Sequence, residues 1–523
     1  VTATIKKTVS LLLCAAILCC TTVPVLAGDE GCKCGFSPII YVGPLGCTPI
    51  VRDAGTENEQ TLWKTDTRFL LSNLKAAMPE LTKALLTHNT ELLGDALAEF
   101  VLACFGDLAL DAEGNSKENV TTPELNVPEG DRHGPEYDYY FDYDFRLDPY
   151  EHADRLHAFI RQVKALTGHD SVKLKCSSMG GVVLSAYLDK YGYDGIDVII
   201  CRCCPLWGTA VAGEAFCGKL ELNAQALTRY AADAVPFLET GFADDFIEGS
   251  LYALLAVLKG AGIMDGLCAL GDAVIRAVGE KVYRKAMIPI FGSLPGIWAF
   301  VPQEYFDDAV RFMHVPDEGG LHDKIFAYRN AMTHVADHLT NAKKDGVRIC
   351  IICGYNVQRT PLVTLWRSTA DGTVDTKYAS LGATCADVRE TLDDSYLSAL
   401  ENKDYLSADN MVDASTCVLP DCTWFVRNWL HCNGNSGIDA LFDLVMTSDD
   451  VSVNSFEQFP QFLEADDDAD TVYPVTGAPD ALERLKAHPS YLNFIRFLVS
   501  VVRRLLQEPD AVRQRVRALL ERA

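Results

Sequence analysis

A serine at position 178, an aspartate at 371 and a histidine at 431 are the residues of this 523-residue chain whose types and order could break an ester. Ser178 lies in Cys176-Ser177-Ser178-Met179-Gly180-Gly181, between a strand-like run, Ser171–Lys175, and a helix-like one, Val182–Tyr191. That context predicts a sharp strand-to-helix turn with the serine at its apex, where small residues two positions either side let the backbone bend. Gly180 fits this pattern, and Cys176 stands where glycine is more usual.

A serine nucleophile needs a base to take its proton, an acid to orient that base, and donors for the oxyanion. Asp371 opens the turn-like Asp371-Gly372-Thr373-Val374 after a strand region, Leu362–Trp366, with Asp375 as its rival. His431 follows the apolar run Trp424–Leu430 and precedes a helix-like segment, Gly437–Met446. His488 is the only other histidine after Asp371. The order Ser, Asp, His is that of a serine carried on a strand-to-helix elbow. Oxyanion donors are expected from the N–H of Met179, directly after the nucleophile, and of Leu45 in the early loop Gly43-Pro44-Leu45-Gly46. Pro44 has no N–H to give.

The elements that must position these residues alternate. Short apolar runs at Pro38–Val42, Tyr139–Phe145, Ser171–Lys175, Asp197–Cys204 and Val347–Cys353 read as core strands. Helix-period segments separate them, including residues 60–110 and a helix with Leu156, Phe159, Ile160 and Val163 on one face. This is the pattern of an α/β fold with a mostly parallel sheet. A polar loop spans Asp111–Glu136. Residues 219–345, mainly helical and holding His314, His322, His334 and His338, interrupt the alternation and read as a helical cap over the carboxyl ends of the strands. The core is thus expected over 28–218 and 346–446. Residues 447–523 read as an acidic linker and a basic helical tail, in which Ala481–Ala523 carries nine basic residues against four acidic. Such a tail suits either packing on the acidic Glu464–Asp470 run or contact with an anionic membrane surface.

Residues 1–27 read as a secretory signal peptide: Lys6 and Lys7, the apolar run Val9–Leu18, and Val25-Leu26-Ala27 as a small-residue cleavage site. A secreted or cell-surface protein follows. A formal net charge of −26 argues against nucleic acid as a partner. Three of the 19 cysteines, Cys14, Cys19 and Cys20, fall in the signal. Cys32 with Cys34, and Cys417 with Cys422, lie in loop-like sequence where disulfides are plausible. Cys201, Cys203, Cys204, Cys350 and Cys353 sit in apolar runs and read as small buried hydrophobes. Cys350-Ile351-Ile352-Cys353 lacks the second ligand pair of a structural zinc site, so no metal and no cofactor is expected.

As an ordered set, these segments resemble the lecithin:cholesterol acyltransferase-like family of α/β-hydrolases. The matching stretches are Pro38-Ile39-Ile40-Tyr41-Val42-Gly43-Pro44-Leu45-Gly46, Tyr143-Asp144-Phe145-Arg146, Ser178-Met179-Gly180-Gly181, Pro205-Leu206-Trp207-Gly208-Thr209 and Asp371-Gly372-Thr373-Val374, with long unmatched insertions between them. Two departures stand out: Cys176-Ser177 replaces the usual glycine and histidine, and Gly43-Pro44 reverses the common order. The resemblance implies an α/β-hydrolase fold and an exported lipase or acyltransferase. Lipid esters would be its substrates, acting through an acyl-enzyme on Ser178, Asp371 and His431. The two departures support the alternative of a catalytically silent protein of the same fold that binds lipid or a surface partner.

Overall fold

In the computed structural model, the described residues are 32, 34–64, 67–87, 89–117, 119–123, 137–221, 223, 226, 274–360, 362–467 and 469–477. The expected signal peptide, the basic tail with His488, and much of the expected cap lie outside them.

Among the described residues, eight strands form the central sheet: β1 (Ile39–Val42), β2 (Asp138–Phe141), β3 (Val172–Ser177), β4 (Ile196–Arg202), β5 (Arg348–Tyr355), β6 (Thr423–Arg427), β7 (Phe462–Asp466) and β8 (Thr471–Pro474). Their order across the sheet is β2-β1-β3-β4-β5-β6-β7-β8. All neighbours are parallel except β7 and β8. The central strands are apolar on both faces because both faces are covered. In β5 every residue after Arg348 is buried.

The longer helices among the described residues are α1 (Thr67–Leu86), α2 (Thr90–Phe105), α3 (Pro149–Thr167), α4 (Gly180–Tyr191), α5 (Ala210–Phe216), α6 (Gln303–Phe312), α7 (Gly320–Lys344) and α8 (Ser436–Thr447). On one face of the sheet pack α3, α4 and α7, while α8 covers the other. The helix expected around Leu156, Phe159, Ile160 and Val163 is α3, and all four side chains are buried. Its ends are set locally. Asp148 caps the first turn by accepting from the Tyr150 N–H, Pro149 occupies the first turn, and Gly168 closes it at φ 66°. Because α7 packs on α4, the segment 219–345 contributes its last helix to the layer over the sheet.

Other expectations need correction. The linker expected after residue 446 contains β7 and β8, which extend the sheet. Of their residues Leu463 and Val472 are the ones fully buried, and the acidic residues around them masked the strand pattern. Glu464 of the acidic run pairs with Arg427 at 2.6 Å. Leu362–Trp366 is turn rather than strand, and its apolar Val363 and Trp366 bury against Ala226 instead of entering the sheet. No disulfide joins Cys32 to Cys34 or Cys417 to Cys422. No helix among the described residues is long and apolar enough to cross a membrane.

The chain runs from β1 to β2 on one side and returns to β3 on the other. The crevice at such a reversal, beyond the carboxyl ends of the strands, is where open α/β sheets place ligands. Gly180 makes that edge tight: any Cβ there would penetrate the carbonyl oxygen of Val42 at the end of β1. Gly180→Ala is therefore expected to force β1 and α4 apart and lower the unfolding free energy by about 1–3 kcal/mol. An unchanged urea midpoint in that variant would contradict this packing.

Candidate active site

Ser178 follows β3 directly and adopts φ +51°, a conformation rare for a residue with a side chain. The strain is held by the backbone on both sides. The Ser178 N–H donates to the Arg202 carbonyl at the end of β4 (2.9 Å), and its own carbonyl accepts from the Gly181 N–H (2.9 Å). Cys176, two residues earlier, is fully buried, and its carbonyl accepts from the Cys204 thiol at 3.3 Å. Burial drives both thiols well above their ordinary pKa, so they are inert packing here.

Asp371 and His431 come from the far side of the sheet. A two-stranded ladder, Val357–Gln358 with Thr369–Ala370, delivers Asp371 just past β5. His431 lies in the loop between β6 and α8, whose Asn435 cap accepts from the N–H groups of Gly437 and Ile438. The two loops meet over Gly354 of β5, where a Cβ would lie 2.5 Å from the Trp429 carbonyl oxygen and 2.7 Å from the Asp371 Cβ.

The structure thus brings together residues 178, 371 and 431. His431 Nε2 is 2.8 Å from Ser178 Oγ, and Nδ1 is 2.7 Å from Asp371 Oδ2. In the neutral ring one tautomer serves both contacts: Nδ1–H donates to the carboxylate, and Nε2 accepts from the serine hydroxyl. The other carboxylate oxygen, Oδ1, accepts from the N–H groups of Thr373 (2.9 Å) and Val374 (2.7 Å). A further bond runs from the His431 N–H to the Asp371 carbonyl at 2.9 Å. Ser178 is 7% exposed and Asp371 1%, so the relay is shielded from bulk water.

Burial alone would lower the His431 pKa. The Asp371 carboxylate, by charge and hydrogen bond, and the Cys432 sulfur outweigh it, and the imidazole is raised from 6.5 to about 10. Cys432 itself is lowered, chiefly because the Cys203 thiol donates to its sulfur, with His431 and Arg202 adding positive charge nearby.

Asp375, the expected rival, is engaged elsewhere. It is buried against Arg359 at 3.0 Å and accepts from the Ala210 N–H at 2.8 Å. The Pro205–Thr209 stretch reaches the same loop, where the Thr209 hydroxyl donates to the Thr373 carbonyl at 2.7 Å. Leu45 lies in the loop after β1, beside the elbow, and Met179 opens α4. Neither N–H donates a hydrogen bond among the described residues. Buried Tyr143 steadies the Leu45 loop by donating to the Gly43 carbonyl at 2.7 Å.

Sequence reasoning missed Arg202, whose guanidinium donates to the carbonyls of Cys432 (3.1 Å) and Asn433 (2.7 Å) and so holds the His431 loop against β4. An arginine directly after the apolar run Val198–Cys201 was the available signal. Among the described residues, two groups have the donors to hold a metal: Cys203 with His431 and Cys432, and Cys32 with Cys34 and His169. A cavity of about 610 Å³ lined by Tyr283, Ile288 and Phe312 includes no member of the Ser–His–Asp group.

Asp371→Asn should lower the His431 pKa, since it removes the negative charge that favours the imidazolium. Imidazole NMR resonances followed against pH would show it. A wild-type pKa at or below 6.5 would contradict the electrostatics described. Comparison with protein-family models, with curated proteins and with solved structures finds no match to this chain.

Proposed function

We propose that this protein is a serine hydrolase or acyltransferase of α/β-hydrolase fold that acts on esters through an acyl-enzyme. The observation that carries the proposal is the pair of contacts made by one imidazole, to Ser178 at 2.8 Å and Asp371 at 2.7 Å. Their position supports it: the serine is strained at a strand-to-helix turn beside the sheet's point of reversal.

As Ser178 Oγ attacks the ester carbonyl, its proton passes to His431 Nε2, while Asp371 holds the ring and stabilises the imidazolium. The N–H groups of Met179 and Leu45 are the candidate donors to the oxyanion of the tetrahedral intermediate. Its collapse breaks the ester C–O bond, and His431 returns the proton to the departing alcohol. Water, or an acceptor alcohol, then attacks the acyl-enzyme with His431 as base and releases Ser178. Lipid esters are the proposed substrate class and export the proposed destination, both resting on the resemblance of the ordered motifs and on residues 1–27.

Acyl esters of increasing chain length test the reading. Turnover should fall by about 10⁴–10⁶-fold in Ser178→Ala and in His431→Ala, and by about 10⁴-fold in Asp371→Asn. A fluorophosphonate should label the wild type at Ser178 alone. Turnover that survives Ser178→Ala, or a wild type that neither turns over esters nor takes the label, would remove the proposal.

The base acts only when neutral, so a raised His431 pKa moves the acid limb of kcat/KM to higher pH. Turnover is expected to climb across the neutral range, with its lower inflection above 6.5. A plateau already reached at pH 6.5 would show that the imidazole is neutral there.

A further inference from the structure

The residue after the histidine is a cysteine, and a second cysteine meets it from the next loop of the sheet. Cys203 follows the end of β4, and Cys432 follows His431. Both adopt left-handed backbone conformations, φ 52° and 54°. The ligand atoms of Cys203, His431 and Cys432 all lie within 4.8 Å of one another. Cys203 is fully buried, and the other two are half-buried.

From this cluster we infer that Cys203, His431 and Cys432 bind a thiophilic divalent cation of the zinc class, and that the bound cation switches the Ser–His–Asp group off. Two thiolates and an imidazole, with one position left to water, are a donor set for zinc. Tetrahedral zinc at its usual bond lengths sets such ligand atoms about 3.5–3.8 Å apart. Side-chain rotation of about 1 Å therefore closes the set. With the cation on Nε2, Asp371, hydrogen-bonded to Nδ1 at 2.7 Å, supplies the carboxylate that commonly backs a metal-binding histidine.

The inhibition follows from the imidazole itself. A neutral ring has one basic lone pair, and its other nitrogen carries the proton. If the metal takes Nε2, the lone pair that would accept the Ser178 proton is occupied. If it takes Nδ1, the ring proton moves to Nε2 and faces Ser178, and the contact with Asp371 is lost. Either arrangement removes the base. Binding releases the thiol protons and is reversed by chelation, with no covalent change to the protein. The inhibitory half of the inference rests on the serine-hydrolase reading, whereas the binding half does not.

The test uses the full chain carrying Cys32→Ser and Cys34→Ser, which silence the other cysteine–histidine group, reduced and stripped with EDTA. Titration with Co²⁺ should raise a sulfur-to-cobalt charge-transfer absorption that saturates at about one equivalent and is abolished by Zn²⁺. Cys432→Ser should lose the absorption. Cys203→Ala should lose it too, but Cys203 is buried, so the half-buried Cys432 decides if that variant fails to fold. Ester turnover should fall at least about tenfold with one equivalent of Zn²⁺ and recover with EDTA. In Cys432→Ser, whatever its turnover, Zn²⁺ at that concentration should change nothing. Absence of the absorption, or its persistence in Cys432→Ser, overturns the site. Charge transfer without zinc-sensitive turnover in an active enzyme overturns the switch. Charge transfer in a protein that hydrolyses no ester supports the site and removes the hydrolase reading instead.

Discussion

Between β3 and α4 the chain has two residues in which to reverse its hydrogen-bonding habit, and Ser178 absorbs the change at φ +51°. Such a conformation persists only where its surroundings over-determine it. Here they do: β1 and β4 flank the strand in parallel register, the Arg202 carbonyl takes the serine N–H, and Gly180 allows the Val42 carbonyl to close on the first turn of the helix. The serine hydroxyl is consequently placed by the sheet rather than by a mobile loop, and the rest of the site is built outward from it.

The partners of Ser178 arrive on loops that are made rigid by one another. Asp371 is fixed through its second oxygen by two N–H groups of its own turn, and the backbone of His431 is tied to the Asp371 carbonyl. Arg202 ties the following residues back to β4. Three strand ends, β3, β5 and β6, thus converge on one imidazole. This mutual bracing gives a proposed general base little freedom to leave its line of transfer, a source of rate that needs no further contact with substrate.

Cysteine divides by setting. Cys176, Cys201, Cys204 and Cys350 are buried in the core around β3–β5, where desolvation or packing among apolar neighbours leaves nothing for them to react with. Cys432 occupies the same region, but the Cys203 thiol, the imidazole and Arg202 lower its pKa. Cys203 is buried and its thiol raised like those of Cys176 and Cys204, and only its closeness to Cys432 and His431 sets it apart. A single residue along β4 separates inert packing from a candidate ligand.

Alternation of apolar runs and helical periods, the face of α3, and the elbow around Ser178 were legible from the chain itself, because period, cap residues and turn chemistry are local properties. The order Ser, Asp, His narrowed the candidates to the residues that the structure brings together, with Asp375 left as a rival. What decided between Asp371 and Asp375 was tertiary: Arg359 and the Ala210 N–H claim Asp375, and neither contact has a signature in sequence spacing. The strands β7 and β8 were likewise invisible, since Leu463 and Val472 are their only fully buried residues and acidic side chains surround them. Sequence by itself determined which residues could do chemistry and which local elements carry them. Only the fold decided which of them meet, because hydrogen-bond distances across 253 residues of chain are set by how strands pair and not by anything adjacent to the residues concerned.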